Sequence, residues 1–138
     1  MSNLKTKPCP CGSGMSYKIC CRPLHLKKTK AKTAEALMRS RFCAYYLAKQ
    51  KPELSRYILT TWCAETRPGD MDLSHQPSWT KLKIHRTEQG QMQDKNGLVE
   101  FSAYYIEDQD DVEFREVSEF LRTEKGDWCY LKGEIKRL

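Results

Sequence analysis

This chain is expected to form an α+β fold, with helices gathered on one face of an antiparallel sheet and a small metal-binding module ahead of them. Three observations lead there. Helical periodicity is confined to residues 34–65, and strand alternation begins only at Trp79. Four of the seven cysteines crowd into residues 9–21, read as CPCGSGMSYKICC.

The 138 residues leave room for one domain of roughly 100 residues and an appendage. No apolar run approaches the roughly 18 residues of a membrane span. The opening MSNLKTKPC has no apolar h-region, so a reducing, cytoplasmic location is expected. The net charge of +6 is unevenly spread. Residues 1–32 hold eight Lys and Arg and no Asp or Glu, while the remainder carries sixteen basic against eighteen acidic residues. The excess positive charge therefore sits beside the cysteines, which suits an anionic partner. A solvated basic tail is the plainer alternative.

The cysteine cluster has three chemical readings. Disulfides fit poorly, because a cytoplasmic chain keeps its thiols reduced and adjacent Cys20 and Cys21 are badly placed to bridge each other. Redox catalysis fits poorly too, because the spacings are Cys-x-Cys and Cys-Cys rather than Cys-x-x-Cys. A structural zinc ion fits well. It takes four thiolates in a tetrahedron, and Cys9, Cys11, Cys20 and Cys21 supply two pairs with a loop between them. Gly12 and Gly14 let the backbone turn back toward the ion. His25 is a reserve ligand, expected on the surface.

Residues 22–33, RPLHLKKTKAKT, read as a connector. Thr33 is a helix N-cap with Glu35 in the first turn, and a helix follows over 34–49. Its apolar side carries Leu37, Ala44 and Tyr45, with Arg41 on the same stripe. Pro52 opens a second helix over 52–65. Residues 66–78 are loop. WTKLKIHRTE is a half-buried strand with Leu82 and Ile84 on one face and Lys81, Lys83 and His85 on the other. A turn at residues 94–97 leads to a strand with Val99, Phe101, Ala103 and Tyr105 on one face. After an acidic turn at residues 108–111, Val112, Phe114, Glu116, Ser118 and Phe120 share a side. WCYLKGEI closes the sheet.

Two resemblances follow from these segments. CPCGSGMSYKICC resembles the SEC-C zinc motif, with Cys9, Cys11, Cys20 and Cys21 at the ligand positions and Tyr17 and Lys18 at its aromatic and basic positions. LMRSRFCAYY, TTW, GLVEFSAYY, EVSEF and WCYLKGE, in that order, resemble the bacterial YchJ family. That likeness implies a cone-shaped domain like nuclear transport factor two. The expected organisation is a zinc module at 1–26, a basic linker at 27–32 and the cone-shaped domain at 33–138. In the translocation ATPase where it is best known the SEC-C motif is associated with protein partners and the ribosome, so the resemblance implies such partners by analogy.

A cone implies a pocket, and Arg41, Tyr45, Tyr105 and Glu116 are its candidate lining. A charge on an apolar stripe needs a partner, so Arg41 is expected to pair with Glu116 across the helix–sheet interface. No histidine can be placed beside them, and no phosphate-binding loop or dinucleotide motif occurs. Cys43, Cys63 and Cys129 read as free core thiols. Two functions remain open. In the first, a non-catalytic adaptor docks an acidic protein surface through Lys18, Arg22, Lys27, Lys28, Lys30 and Lys32, with RNA or the ribosome as runner-up and no DNA specificity. In the second, the pocket makes the chain a small-molecule binder or an enzyme.

Overall fold

The computed structural model describes residues 7–136. Lys5 and the rest of residues 1–6 of the expected module, and residues 137–138 of the expected cone-shaped domain, lie outside the described residues. The elements run α1 (Arg22–His25), α2 (Ala34–Leu47), α3 (Leu54–Thr60), β1 (Ser78–Gln89), β2 (Asn96–Glu107), β3 (Asp110–Arg122) and β4 (Trp128–Lys136). The four strands form one antiparallel sheet in sequence order, with β2 and β3 at its centre. The α+β expectation holds. Among the described residues, no helix is long and apolar enough to cross a membrane.

Thr33 starts α2 as its sequence position predicts. Its backbone is extended, and its side-chain oxygen accepts the Ala36 N–H at 3.0 Å. The Ala34 N–H donates to the Gly90 carbonyl at 2.9 Å, which ties the helix start to the β1–β2 turn. Gly97 faces Gly90 there, and a Cβ on Gly97 would run into the Gly90 backbone. The β2–β3 turn is tighter than expected. Asp108 and Gln109 both have positive φ, 51° and 70°, so β3 starts at Asp110 rather than Val112.

The helices depart from expectation at their ends. The second is shorter, at Leu54–Thr60, because the chain beyond Thr61 turns to join β4. The expected connector contains a helical turn, α1, whose Lys27 N–H and Lys28 N–H donate to the Leu24 and Pro23 carbonyls. This is a Schellman-type end, with Lys27 left-handed at φ 60°. A polar sequence with one proline hides so short a helix from periodicity.

α2 divides the interior. On one side Leu37, Met38 and Phe42 pack with Leu82, Val99, Phe101 and Phe120 of the sheet. On the other, Cys43, Ala44 and Leu47 pack with Tyr57 and Ile58 of the α3 helix and with Cys9, Cys11, Tyr17 and Cys21. The cysteine-rich head therefore shares a core with the helices.

Candidate metal centre and the cavity behind it

The head begins as a tight loop. Pro8 bridges Ser16 in antiparallel fashion, the Cys9 N–H donates to the Met15 carbonyl at 2.8 Å, and the Gly12 N–H donates to the Cys9 carbonyl at 3.1 Å. Gly12 and Gly14, at φ 82° and 88°, supply the turns that return the chain. Residues 16–22 then wind helically, with the Cys20 N–H on the Ser16 carbonyl and the Arg22 N–H on the Tyr17 carbonyl. The loop and the winding bring Cys9, Cys11, Cys20 and Cys21 together, all four sulfurs lying within 4.8 Å of one another.

This set fits a metal ion. Sulfurs on a tetrahedron with bonds of about 2.3 Å stand about 3.8 Å apart. Cys11 and Cys20 are 3.6 Å apart, and Cys20 and Cys21 3.9 Å. Without a cation, burial and the neighbouring sulfurs push the Cys20 thiol up to about 11, while contacts with the other thiols raise Cys21 further. A cation among them would remove that penalty from Cys20 and Cys21. Ser13 Oγ lies 3.1 Å from Cys20 Sγ and is placed to donate to its thiolate.

The surroundings hold features the sequence did not show. Cys43, expected as a simple core thiol, comes from α2 to place its Sγ 3.8 Å from that of Cys9. It is a fifth sulfur at the edge of the cluster. Arg39, one helical turn earlier, donates to the Cys11 carbonyl at 2.6 Å and pairs with Glu35.

His25 is a correction. It is buried rather than on the surface, and both its ring nitrogens are engaged. Nε2–H donates to the Ser40 carbonyl at 2.8 Å, so Nδ1 accepts from the Tyr17 hydroxyl, also at 2.8 Å. Neither nitrogen is left for a metal. Burial holds the imidazole pKa below its ordinary value and keeps it neutral. The chain continues inward. Ser40 Oγ donates to the Leu37 carbonyl, so the Tyr57 hydroxyl donates to Ser40 Oγ at 2.7 Å. Burial pushes the Tyr57 phenol up to about 12.

Cys63 and Cys129 are the second correction. They are joined as a disulfide across 66 residues rather than standing free. The reason is a parallel bridge between Trp62 and Tyr130. The Cys63 N–H donates to the Tyr130 carbonyl and the Tyr130 N–H to the Thr61 carbonyl, which brings the two Cα atoms to 5.0 Å. Pairing so distant in sequence leaves no local sign.

On the sheet side of α2 lies a cavity of about 320 Å³. Arg41, Tyr45 and Glu116 line it, together with Trp62, Trp79 and Tyr130. Strand alternation placed Glu116 and Ser118 inward, and they are inward. Tyr105 is not among the lining residues. It packs edge-on against Trp79, with ring centres 5.3 Å apart, and Trp79 takes its place on the cavity wall.

The expected Arg41–Glu116 ion pair does not form. Arg41 Nη1 donates instead to the Ile58 carbonyl at 2.8 Å and to Thr61 Oγ1 at 2.7 Å. Its guanidinium lies over Trp62 and Tyr130, 5.2 and 4.7 Å from the ring centres. The end of α3 supplies what the sequence reading assigned to a carboxylate. Glu116 Oε2 accepts from Ser118 Oγ and from the Tyr130 hydroxyl. His85 lies on the opposite face of the sheet, 2.7 Å from Ser102 Oγ, whose hydroxyl donates to Glu113. His75 is exposed in the loop. Among the described residues no histidine stands beside Glu116.

The basic residues are on the surface. Lys18, Lys27, Lys28, Lys30 and Lys32 are exposed and Arg22 is half-buried. Lys30 reaches Asp127 at 3.5 Å, a surface pair of little energetic weight. Exposed Met15, Ile19 and Leu26 lie among them in the sequence.

The order of these parts, a four-sulfur head followed by helices on a four-stranded sheet, is matched by known proteins. Residues 6–23 match the SEC-C motif, and residues 33–133 match the family described as YchJ, middle NTF2-like domain. The chain belongs to the YchJ-like family. A UPF0225 protein of Deinococcus radiodurans is 42% identical over 126 residues, spanning 91% of this YchJ-like chain and 87% of the relative. One from Streptomyces coelicolor is 40% identical over 132 residues, spanning 96% and 98%. Among solved structures, a SEC-C motif containing protein from Rhodopseudomonas palustris superposes with a TM-score of 0.78 at 29% identity. It covers 95% of the YchJ-like chain and 100% of its own.

Proposed function

We propose that this chain is a zinc-bearing adaptor whose head docks an acidic, apolar-bearing segment of a partner protein. The single observation that carries the reading is the make-up of the head's surface. A groove between the head and the start of α2 is lined by Met15, Ile19 and Leu24 beside the paired Glu35 and Arg39, and the head and the linker after it offer Lys18, Lys27 and Lys28 to solvent. Met15 and Ile19 are large apolar groups left exposed at 48% and 64%. A partner covering them buries apolar area, and acidic residues on that partner meet the lysines.

Zinc is the metal this donor set favours. Four thiolates in a closed tetrahedron make a structural site with no open position for substrate, and soft sulfur donors select zinc over magnesium, calcium or manganese. The ion would hold the loop that presents Met15 and Ile19. Tyr17 supports a protein partner over RNA. It and His25 are the aromatic rings of the head, and both are buried and bonded to each other, so neither offers a face for a base.

The test is fluorescence anisotropy of the zinc-loaded full chain against labelled peptides that combine Leu and Phe with Asp and Glu. Binding that weakens with salt and is lost in Ile19→Asp and in Lys18→Glu is the expected result. Preference for an RNA homopolymer over every acidic peptide would refute the protein-docking reading. Metal analysis of the purified chain should find one zinc per molecule.

A further inference from the structure

We propose that the cavity between α2 and the sheet is a binding site for a small aromatic carboxylic acid that also carries a hydroxyl or amino group. The inference is independent of the adaptor reading, because the cavity lies on the far side of α2 from the sulfurs.

Arg41 is the first reason. It is 3% exposed and lines the cavity, and among the described residues only Nη1 of its planar fork finds hydrogen-bond acceptors. Nε and Nη2 have no hydrogen-bond partner among the described residues. A buried guanidinium is costly unless its donors and its charge are answered. Carbonyl, hydroxyl and two aromatic faces answer part of that need, and among the described residues no carboxylate pairs with it. A ligand carboxylate would meet the free edge of the fork in the bidentate geometry that arginine favours.

Glu116 is the second. Ser118 Oγ and the Tyr130 hydroxyl both donate to Oε2, which leaves Oε1 without a donor among the described residues. A hydroxyl or amino group on the ligand satisfies it. The protein makes room for this carboxylate. Gly133, opposite Ser118 on β4, has no side chain, and a Cβ there would collide with the Glu116 carboxyl group. The cavity thus presents one cation and one acceptor, which excludes a bare hydrocarbon and disfavours a simple dianion.

The walls are the third. Phe42, Tyr45, Trp62, Trp79, Phe101 and Phe114 give flat faces for a ring. At about 320 Å³ the space is at the small end of the range for ligand cavities, roughly 300–1,000 Å³.

The experiment is ligand-observed NMR and calorimetry on the zinc-loaded full chain. The probes are 4-hydroxyphenylacetate, 4-hydroxybenzoate and 4-aminobenzoate, each beside its carboxamide, with p-cresol as the ring alone. At least one acid should bind, with its amide at least ~10-fold weaker, as the loss of a charged hydrogen bond requires. Glu116→Gln should weaken 4-hydroxyphenylacetate without affecting its ether, 4-methoxyphenylacetate. Arg41→Lys keeps the charge but loses the fork, and should lower acid affinity toward that of the amide. Because Arg41 also holds the end of α3, Ala103→Leu serves as the second variant. It fills the cavity from the sheet side, away from both charges, and should abolish binding while the fold persists. No acid binding below millimolar concentration, equal binding of acid and amide, or undiminished binding to Ala103→Leu would each overturn the proposal.

Discussion

The two faces of α2 look onto interiors built on different principles. Toward the head, Cys43, Ala44 and Leu47 meet Leu54 and Ile58, two tyrosines and a set of sulfurs. That core is closed by hydrogen bonds and, in the reading above, by an ion. Toward the sheet, Leu37, Met38 and Phe42 meet Val99, Phe101 and Phe120, a core dominated by apolar burial that still leaves a cavity with a polar lining at Arg41 and Glu116. A small loop-rich head has too little apolar surface to stabilise itself, whereas a four-stranded sheet with a helix across it has enough.

Metal removal breaks the comparison most severely. A structural zinc in such a small module supplies on the order of 10 kcal/mol of folding free energy. Chelation under reducing conditions should collapse the amide resonances of residues 7–26 and weaken those of α3, while the β2–β3 pairs keep their hydrogen-exchange protection. Uniform loss across the sheet would show that the two interiors do not differ in this way.

Core truncations sharpen it. Phe120→Ala removes a ring with 0% exposure and should cost about 3–5 kcal/mol in chemical denaturation, with metal affinity unchanged. Leu47→Ala, 1% exposed on the other face, should cost about 2–5 kcal/mol and also hasten release of the metal to a chromogenic chelator. Equal metal release from both variants would contradict the division. Replacing Cys63 and Cys129 together by alanine should cost roughly 2–4 kcal/mol through the 66-residue separation they span, read as a lower thermal midpoint. Intact-mass analysis after alkylation of the unreduced chain should show those two thiols protected.

Smaller effects follow at His25 and at the β2–β3 turn. Burial lowers the folded-state pKa of His25 below its ordinary 6.5, so the folded chain binds fewer protons than the unfolded one as pH falls. Its contribution is complete above about pH 6.5 and is lost progressively below it. Nitrogen-15 NMR at pH 6 should find His25 neutral with the proton on Nε2, and a charged ring would refute the hydrogen-bond chain. Gln109→Gly, at φ 70°, should add roughly 0.5–1 kcal/mol by relieving a left-handed side-chain position.

Much of this was legible in the residues. The sulfur spacing gave the head, Thr33 gave the helix start, and strand alternation turned Glu116 and Ser118 inward because a two-residue period survives in β3. The same rule failed for Tyr105, since facing inward does not decide which neighbour covers a side chain. Arg41 was placed on the right stripe but given the wrong partner. One of its donors is taken by the Ile58 carbonyl, and backbone acceptors carry no mark in a sequence. Cys43 and the Cys63–Cys129 link depend on contacts between distant segments, which local patterns do not encode.

From Ala34 to Leu47 the second helix contains neither glycine nor proline, and Cys43 and Arg41 stand two residues apart on it. Such a rod tilts or slides as one piece rather than bending between them. A shift of Cys43 is therefore carried to the guanidinium on the other side, so an ion gathered by the neighbouring sulfurs would help set where that positive charge rests above the strands.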